Sequence, residues 1–353
     1  MSRFFSQRHS RLEPYAPGEQ PKDRKYIKLN TNESPFPPSP LVEKAVREES
    51  RSLMLYSDPD CRDLRDKMSE VFGVAPDRVI MTNGSDEVLQ FAFMAFGDQE
   101  HPFAFADITY GFYPVFARLN HIPYTEIPLK EDFSIDPADY TGIGKNIVIA
   151  NPNAPTGMSL PLSDIEDIVR SNPDNVVIVD EAYVDFGGES AVRLIDRYDN
   201  LLVTGTFSKS RSMAGARLGF GFGSPQLIAD LNTIRYSTNP YNVNRLTAAA
   251  GIAALTENDY YMEKCRVIQR NRRWTAAKLE EMGFHVLPSR TNFLFAASDR
   301  IEGERLYLEL KQRGILIRHF NKERIKDYNR ITIGTMEEMK ALTEAIEEIC
   351  FRG

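Results

Sequence analysis

A lysine surrounded by small and hydroxyl-bearing residues is the first feature of this sequence that could do chemistry. Lys209 lies between Ser208 and Ser210, and Arg217 follows eight positions later. A lysine that is partly removed from water beside another cation has a lowered pKa, so its neutral amine can attack an aldehyde. Ser208 and Arg217 can bind a phosphate, because arginine offers phosphate two charge-assisted hydrogen bonds. The spacing alone decides little, since the chain has 43 lysines and arginines.

A carboxylate and a phenol follow a second apolar segment. Asp180 comes directly after the β-branched run 176–179, and Tyr183 lies three residues further on. A carboxylate at the end of a buried strand is costly unless it is paired, and a protonated pyridine nitrogen would be a suitable partner. Tyr183 can reach the same ring. The alternative is an aspartate that only caps the next element.

Two further segments carry polar groups after apolar runs. Gly84, Ser85 and Asp86 lead from a short strand into a helix, and the backbone N–H groups at such a helix start bind anions. A plain helix cap is the alternative. Segment 151–157 reads Asn-Pro-Asn-Ala-Pro-Thr-Gly. Its two prolines and its glycine predict a rigid loop that holds the amide of Asn153, and a bare turn is the alternative.

Short apolar runs alternate with helical segments in the part of the chain that contains these groups. This pattern predicts a mostly parallel sheet with helices on both faces, in which ligands bind at the carboxyl ends of the strands. The predicted strands are 78–82, 103–106, 124–127, 147–150, 176–179, 201–204 and 218–222. The polar groups at the strand ends together describe a pocket for a phosphorylated pyridine aldehyde, pyridoxal phosphate.

The chain changes in character on both sides of the predicted sheet. Residues 1–40 are rich in proline, arginine and asparagine and predict an extended N-terminal arm. A long helix predicted at 260–282 precedes alternating strands and helices, among them a strand at 315–318. This alternation predicts a smaller α+β domain. We therefore expect an α/β protein with an arm (1–40), a large domain with a seven-stranded sheet (41–245) and a small domain (246–353) on which the arm can pack.

The composition argues against several kinds of partner and site. A net charge of −7 disfavours a nucleic-acid partner, and the sequence shows no signal-peptide pattern and no apolar run of membrane-spanning length. The three scattered cysteines disfavour a disulfide framework and fit a reducing cytoplasm. The five histidines show no paired ligand spacing, so we expect no metal site.

The order of the polar segments resembles the class II aminotransferases of fold type I, which use pyridoxal phosphate. The segments that carry this resemblance are NGSDE at 83–87, NPNAPTG at 151–157, DEAYVDF at 180–186 and TFSKSRSMAGARLG at 206–219. Within that class, KLNTNESPFPPSP at 28–40, YSDP at 56–59, IRHF at 317–320 and RITIGT at 330–335 resemble the histidinol-phosphate aminotransferases. Each short motif is moderately specific, whereas the ordered set, which spans residues 28–334, is highly specific.

The resemblance implies roles for the residues around the cofactor ring. It makes Lys209 the residue that holds the cofactor aldehyde as a Schiff base and later shuttles a proton. It implies that Asp180 keeps the pyridine nitrogen protonated, that Tyr183 hydrogen-bonds the ring hydroxyl O3′ and that Tyr110 stacks on the ring face.

The resemblance also implies a phosphate site and a substrate site. Tyr56 would reach the cofactor phosphate of a neighbouring subunit, which implies a homodimer with shared active sites. Arg330 would bind the α-carboxylate of glutamate. The other implied ligands of the cofactor phosphate are Gly84, Ser85, Asp86, Ser208 and Arg217. The other implied substrate residues are Arg318 and Tyr15, near the substrate phosphate, and Asn32, in the loop that lines the pocket.

One position departs from the pattern of the family. Many relatives have an asparagine directly before the second proline of the NPNAPTG segment, where its amide contacts O3′. Here that position is Ala154, and Asn153 precedes it. Either Asn153 takes over the contact or the contact is lost. A lost neutral hydrogen bond costs about 0.5–1.5 kcal/mol, so Tyr183 can sustain activity alone.

The implied activity is transfer of an amino group between histidinol phosphate and 2-oxoglutarate, in histidine biosynthesis, by a ping-pong mechanism. Two enzymes of the same fold are alternatives, a threonine-phosphate decarboxylase and an aromatic amino-acid aminotransferase. A non-catalytic ligand-binding module of this fold is a more remote alternative. Such modules usually carry a DNA-binding segment, which this short arm and acidic chain do not offer.

Overall fold

The strands of the chain form three sheets. The computed structural model describes residues 2–10, 12–15 and 17–351. Its strands are β1 (Ile27–Lys28), β2 (Val79–Thr82), β3 (Phe103–Ala106), β4 (Tyr124–Ile127), β5 (Asn146–Ala150), β6 (Val177–Asp180), β7 (Leu201–Thr206), β8 (Gly219–Phe222), β9 (Phe284–Val286), β10 (Phe293–Ser298), β11 (Ile315–Leu316), β12 (Arg318–His319) and β13 (Asn329–Thr332).

Helices cover these sheets and connect most of the strands of the large one. They are α1 (Pro40–Glu49), α2 (Arg62–Phe72), α3 (Ser85–Phe96), α4 (Tyr113–Leu119), α5 (Leu162–Ser171), α6 (Pro225–Thr238), α7 (Arg245–Thr256), α8 (Asn258–Glu281), α9 (Gly303–Gln312) and α10 (Met336–Phe351). The strands predicted for the large domain agree with the observed bounds to within a few residues.

The large sheet has seven strands in the order β2-β8-β7-β6-β5-β3-β4. Six of them run in the same direction, and β8 is antiparallel to both of its neighbours, β2 and β7. This confirms the predicted α/β fold with a mostly parallel sheet. Because β8 runs the other way, its first residues lie beside the carboxyl ends of β2 and β7. Arg217, which precedes β8, is therefore brought to the edge at which Lys209 follows β7.

Apolar residues of the strands alternate between two cores, one on each face of the sheet. In β6, Val177 and Val179 pack into one core and Ile178 packs into the other. The first core contains side chains from α1, α2, α5 and α7, and the second contains side chains from α3, α4 and α6. Burial on both faces is why the strands read as continuous apolar runs rather than as an alternating pattern.

The long helix α8 joins the large domain to the small one. Its Tyr261 packs into the core of the large domain, whereas Cys265 and Ile268 pack into a third core, that of the small domain. Helix α7, which the sequence analysis assigns to the small domain, packs in the large-domain core through Ala250 and Ala253. The boundary between the core of the large domain and that of the small domain thus lies within α8.

The small domain contains a four-stranded antiparallel sheet in the order β12-β13-β10-β9. The arm packs on this domain, because β1 pairs in parallel with β11 and Leu29 enters the third core. The single strand predicted at 315–318 is wrong in detail. Its two halves pair with different partners, β11 with β1 and β12 with β13, and the buried Ile317 separates them.

Across residues 2–10, 12–15 and 17–351, no helix is both long enough and apolar enough to cross a bilayer. In the same part of the chain, no three histidine, cysteine, aspartate or glutamate side chains are grouped so that they could hold a metal ion.

Candidate active site

Side chains that follow five strands of the large sheet line one cavity of about 180 Å³. The cavity lies at the carboxyl ends of these strands, where ligands of such sheets are expected. The structure brings together most of the residues that the sequence proposed for the cofactor. Those that line the cavity are Ser85, Asp86, Tyr110, Asp180, Tyr183, Ser208, Lys209 and Arg217.

One end of the cavity is built for an anion. Ser85 is the first residue of α3, so the N-terminus of this helix lies at the cavity. Arg217 donates hydrogen bonds to the Asp86 carboxylate at 3.1 Å and to the Ser208 hydroxyl at 3.4 Å. Gly84 has a φ of +78°, and a Cβ there would lie 2.6 Å from Nη2 of Arg217. Only glycine therefore lets the guanidinium approach the start of α3.

Lys209 lies at the junction of this cavity and a second, outer pocket. Its ammonium donates to the backbone carbonyl of Thr31 at 3.3 Å and lies 6.0 Å from the centroid of the Tyr183 ring. Burial, and next the positive charge of Arg330, lower the pKa of the Lys209 amine to about 8. Arg217 was the cation expected to lower the pKa of Lys209, but Arg330 lowers it more. A substantial neutral fraction of the amine near neutral pH is what a nucleophile requires.

Asp180 ends β6 at the floor of the cavity and is buried. The hydroxyl of Tyr113 donates to its Oδ2 at 2.8 Å. The N–H of Ala182 and the hydroxyl of Thr204 donate to Oδ1 at 3.3 and 3.4 Å. Burial raises the pKa of the Asp180 carboxyl to about 6, and the hydrogen bond from Tyr113 opposes that rise. Tyr113 was not predicted as a site residue. Its position three residues after Tyr110 is the one sequence feature that could have suggested it.

Tyr183 is held by the loop that contains Asn32. The amide Nδ2 of Asn32 donates to the Tyr183 hydroxyl at 2.9 Å, and the Tyr183 ring meets Phe293 edge to face at 5.2 Å. Asn32 is itself fixed by Thr332, whose hydroxyl donates to the Asn32 Oδ1 and accepts from its backbone N–H, each at 3.0 Å. With its lone pair occupied by Asn32, the Tyr183 hydroxyl keeps its own proton to donate into the cavity.

Asn153 lies outside the lining of both cavities, and Ala154 lines both. The Asn153 amide nitrogen donates to the carbonyl of Ile108 at 2.9 Å and to the Thr156 hydroxyl at 3.0 Å. Its Oδ1 accepts a hydrogen bond from the hydroxyl of Thr109 at 2.7 Å. The side chain is thus occupied by neighbouring loops and does not offer a contact to O3′. Of the two options left by the sequence, the geometry favours loss of that contact.

The outer pocket has a volume of about 500 Å³ and shares Tyr110, Tyr183 and Lys209 with the first cavity. All of the predicted substrate residues line it, namely Tyr15, Asn32, Arg318 and Arg330. Tyr15 covers the pocket from the arm, with its ring 4.7 Å from Phe112 and 6.3 Å from Tyr110. Volumes of this size are typical of small-molecule sites.

Two arginines face this pocket from neighbouring strands. Arg318 of β12 and Arg330 of β13 are direct partners in the antiparallel register, so their side chains leave the same face of the sheet. Their guanidinium carbons lie 5.6 and 5.8 Å from the centroid of one ring, that of Phe320. Both guanidinium groups thus lie near the same ring and line the same pocket.

The Arg330 side chain is buried but only partly satisfied. Its Nη2 donates to the carbonyl of Asn30 at 2.9 Å, whereas its buried Nε has no hydrogen-bond partner within the part of the chain that the structure describes. Burial lowers the pKa of the Arg330 guanidinium, although Tyr183 and Tyr15 oppose this effect. An arginine with an unused donor at the wall of a pocket is suited to a carboxylate or a phosphate.

Tyr56 lies away from these cavities. It is 80% exposed and stacks on Tyr241 with their centroids 4.7 Å apart. It lines neither cavity of its own chain, and its role in the active site of a neighbouring subunit stays a prediction.

Comparison with known proteins identifies the family. A model of the family described as aminotransferase class I and II matches residues 24–346. The chain belongs to this aminotransferase family. Among its curated relatives, the histidinol-phosphate aminotransferase of Brachyspira hyodysenteriae is 49% identical over 351 residues and that of a Marinomonas species is 50% identical over 353 residues. The alignments cover 99% of this chain in both cases, and 99% and 100% of the two relatives.

The fold is that of solved aminotransferase structures. The histidinol-phosphate aminotransferase of Sinorhizobium meliloti, solved in complex with pyridoxal-5'-phosphate, superposes with a TM-score of 0.85 at 24% identity. The superposition covers 93% of this chain and 92% of that one. The predicted fold-type-I architecture is therefore confirmed.

Pyridoxal phosphate is the cofactor of the aminotransferase, and the donors of the first cavity fit it. The cavity offers an amine for the aldehyde (Lys209), an acid for the ring nitrogen (Asp180) and a phenol for O3′ (Tyr183). At its other end, Arg217, Ser208 and the N-terminus of α3 could hold the phosphate. Every functional group of the cofactor thus has a counterpart of suitable chemistry in one cavity.

Proposed function

We propose that the aminotransferase interconverts histidinol phosphate and 2-oxoglutarate with imidazole-acetol phosphate and glutamate, a reaction of histidine biosynthesis. The observation that carries the proposal is the cross-strand pair of Arg318 and Arg330 in the pocket that Lys209 also lines. Like charges directly opposite each other in a sheet are destabilising, and a phosphate dianion that contacts both would offset this repulsion. Relatives at 49% and 50% identity bear the name histidinol-phosphate aminotransferase, which supports the same substrate.

One anion site used in turn by the two substrates is consistent with a ping-pong reaction. Histidinol phosphate carries a phosphate and no carboxylate, whereas glutamate carries carboxylates and no phosphate. The resemblance assigns the glutamate carboxylate to Arg330 and places Arg318 near the substrate phosphate. Their adjacency favours shared use, with Arg330 binding the carboxylate of glutamate and both arginines binding the phosphate. Tyr15, whose pKa is raised mainly by burial, would add a neutral hydroxyl donor.

The chain's own residues would act as follows. Pyridoxal phosphate, when bound, supplies an aldehyde that carries the amino group and a ring that stabilises a carbanion. Lys209 would hold that aldehyde and then move a proton at the substrate Cα. Asp180 would hold the proton on the ring nitrogen, and Tyr183 would donate to O3′. Tyr110 would lie on the ring face, and its hydroxyl is oriented by a 2.8 Å hydrogen bond to Asp86.

An assay with and without 2-oxoglutarate tests this function. We expect histidinol phosphate to be consumed beyond one equivalent per active site only when 2-oxoglutarate is present, with glutamate formed in equal amount. Carbon dioxide release from threonine phosphate without a keto acid would instead establish a decarboxylase. Faster turnover of phenylalanine or tyrosine than of histidinol phosphate would establish an aromatic aminotransferase. Binding of pyridoxal phosphate without turnover of any amine would indicate a non-catalytic ligand-binding module.

We further propose that the enzyme is a homodimer in which Tyr56 contributes to the active site of the other subunit. Residues 53–56 form an exposed apolar segment that we call the 53–56 segment. Its Leu53, Met54, Leu55 and Tyr56 are 60, 81, 61 and 80% exposed. Contiguous exposed apolar residues of this kind mark a protein interface, and Tyr56 is far too exposed to serve its own chain.

Replacing Leu55 with aspartate should produce a monomer with little activity. An uncompensated charge buried in an interface costs about 3–5 kcal/mol, which weakens the dimer by about a hundredfold or more. Light scattering coupled to gel filtration measures the mass, and the histidinol phosphate assay measures turnover. Leu308→Asp is the matched control, since Leu308 is 47% exposed on α9, and it should leave both unchanged. A Leu55→Asp protein that remains dimeric and active would contradict the proposed interface.

We also propose a cytoplasmic location. The cysteines Cys61, Cys265 and Cys350 are all free, as is usual for a protein kept in a reducing compartment. Burial raises the pKa of the Cys61 thiol to about 11 and that of Cys265 to about 12, so both stay protonated and unreactive near neutral pH.

A further inference from the structure

A buried tyrosine contacts the carboxylate at the floor of the cofactor cavity. Tyr113 is the first residue of α4 and has no exposed surface. Its ring packs edge to face against Tyr110 at 5.6 Å and lies 5.7 Å from the ring of Phe105. Its hydroxyl donates to Oδ2 of Asp180 at 2.8 Å. The ring is thus fixed by packing, and the hydroxyl is directed at a single acceptor.

The hydroxyl of Tyr113 is not explained by packing. A phenylalanine would bury the same ring without the cost of burying a hydroxyl, about 1–3 kcal/mol when it is unpaired. The other donors to Asp180, from Ala182 and Thr204, both reach Oδ1 and are longer, at 3.3 and 3.4 Å. Within residues 2–10, 12–15 and 17–351, Tyr113 is the donor that fixes Oδ2.

We infer that Tyr113 is a positioning residue for the cofactor: its hydroxyl holds the Asp180 carboxylate ionised and oriented so that it can pair with a protonated ring nitrogen. Tyr113 does not line the cavity and acts only through Asp180. The inference rests on the proposed role of Asp180 and adds to it the residue that sets the charge and direction of that group.

The charges around Asp180 show why a donor is needed there. Burial favours the neutral acid, and the negative charge of Asp86 acts in the same direction, whereas the hydrogen bond from Tyr113 favours the carboxylate. A neutral acid would not stabilise a pyridinium. The largest influences that lower the pKa of Asp180 are hydrogen bonds, first from Tyr113 and then from Ala182 and Thr204. Hydrogen bonds are therefore the main means by which this chain keeps Asp180 ionised, and that from Tyr113 has the largest effect.

The experiment compares two ligands on the apo protein and its Tyr113→Phe variant. One ligand is pyridoxal phosphate, and the other is its carbocyclic analogue, in which a CH group replaces the ring nitrogen. Dissociation constants are measured at pH 7.5 by a fluorescence or calorimetric titration. We expect Tyr113→Phe to weaken pyridoxal phosphate binding by about tenfold, as for a lost hydrogen bond to a charged group, and to leave binding of the analogue within about twofold.

Tyr140→Phe is the matched control. Tyr140 is also buried, but its hydroxyl has no hydrogen-bond partner in the described part of the chain and the residue lies in the first core, outside the cavity. Its replacement should change binding of neither ligand. Circular dichroism and melting temperature check that both variants fold, which is expected because phenylalanine fills the same volume.

Three outcomes would overturn the inference. Equal weakening of both ligands by Tyr113→Phe would give Tyr113 a merely structural role, and no weakening of either would give it none. A wild-type protein that binds both ligands equally would overturn the role of Asp180 and this inference with it. A double variant adds a second check. In an Asp180→Asn background, Tyr113→Phe should cause no further loss of pyridoxal phosphate affinity, and a further tenfold loss would show that Tyr113 does not act through Asp180.

Discussion

Replacing Lys209 with alanine should lower turnover of histidinol phosphate by at least about a thousandfold. The change removes the amine that attacks the cofactor aldehyde and the group that moves the substrate proton, and general acid–base catalysis alone contributes about 10²–10⁴-fold. Lys209 lines both the cofactor cavity and the substrate pocket, and its pKa is lowered to about 8. Steady-state formation of glutamate measures the loss.

A second readout on this variant is independent of turnover. Treatment with borohydride should fix the cofactor irreversibly to the wild-type chain and should leave the Lys209→Ala chain unlabelled by mass spectrometry. Lys44→Ala is the control, because Lys44 is exposed on α1 and its ion pair with Glu48 spans 4.0 Å. An exposed pair of this kind contributes at most about 1 kcal/mol. A Lys209→Ala enzyme with full activity would overturn the assignment of the site.

Much of the sheet could be predicted from the sequence because six of its seven strands, all but β4, are buried on both faces. A run such as 176–179 has few conformations other than a buried strand, and a polar residue directly after it must lie at the carboxyl edge of the sheet. That argument placed Asp180 and Lys209 at the same edge before their contacts were known. The direction of β8 could not be predicted in this way, because an apolar run does not reveal which way its strand runs.

The rest of the site depends on contacts between residues that are distant in sequence. Tyr113 and Asp180 are 67 positions apart, and Asn32 and Tyr183 are 151 apart. No local pattern marks such pairs, because they are created by the packing of whole elements. The resemblance to a family implied that Asn32 and Arg318 are substrate residues, but it did not indicate which residues either one contacts. It left the role of Asn153 open, and the hydrogen bonds of that side chain favour loss of the contact with O3′.

The pairing of Arg318 with Arg330 is a matter of strand register. The sequence predicted one strand at 315–318, but the strand is interrupted at Ile317, and only its second half, β12, pairs with β13. A shift of one residue in this pairing would turn one arginine away from the pocket. The register therefore places both arginines on the same face, at one pocket. If they share one anion site, Arg330 must contact both substrates.

Replacing Arg330 with lysine should raise the KM for both glutamate and histidinol phosphate by about ten- to a hundredfold, with a smaller effect on kcat. Lysine keeps the positive charge but loses the planar pair of donors, and a hydrogen bond to a charged group contributes about 1.5–3 kcal/mol. Arg330 lines the pocket, and the planar set of donors of its guanidinium is what lysine does not reproduce. Initial rates measured with each substrate varied in turn give both constants.

The pattern of the two KM values separates one shared anion site from two. If Arg318 and Arg330 contact the same anion, Arg330→Lys must weaken both half-reactions, because each substrate depends on the same pair. An increase for glutamate alone would mean that the phosphate is bound elsewhere and would contradict shared use. Arg290→Lys is the control, since Arg290 is exposed and lines neither cavity, and it should leave both KM values unchanged. Equal effects of the two variants would show that Arg330 has no special contact with substrate.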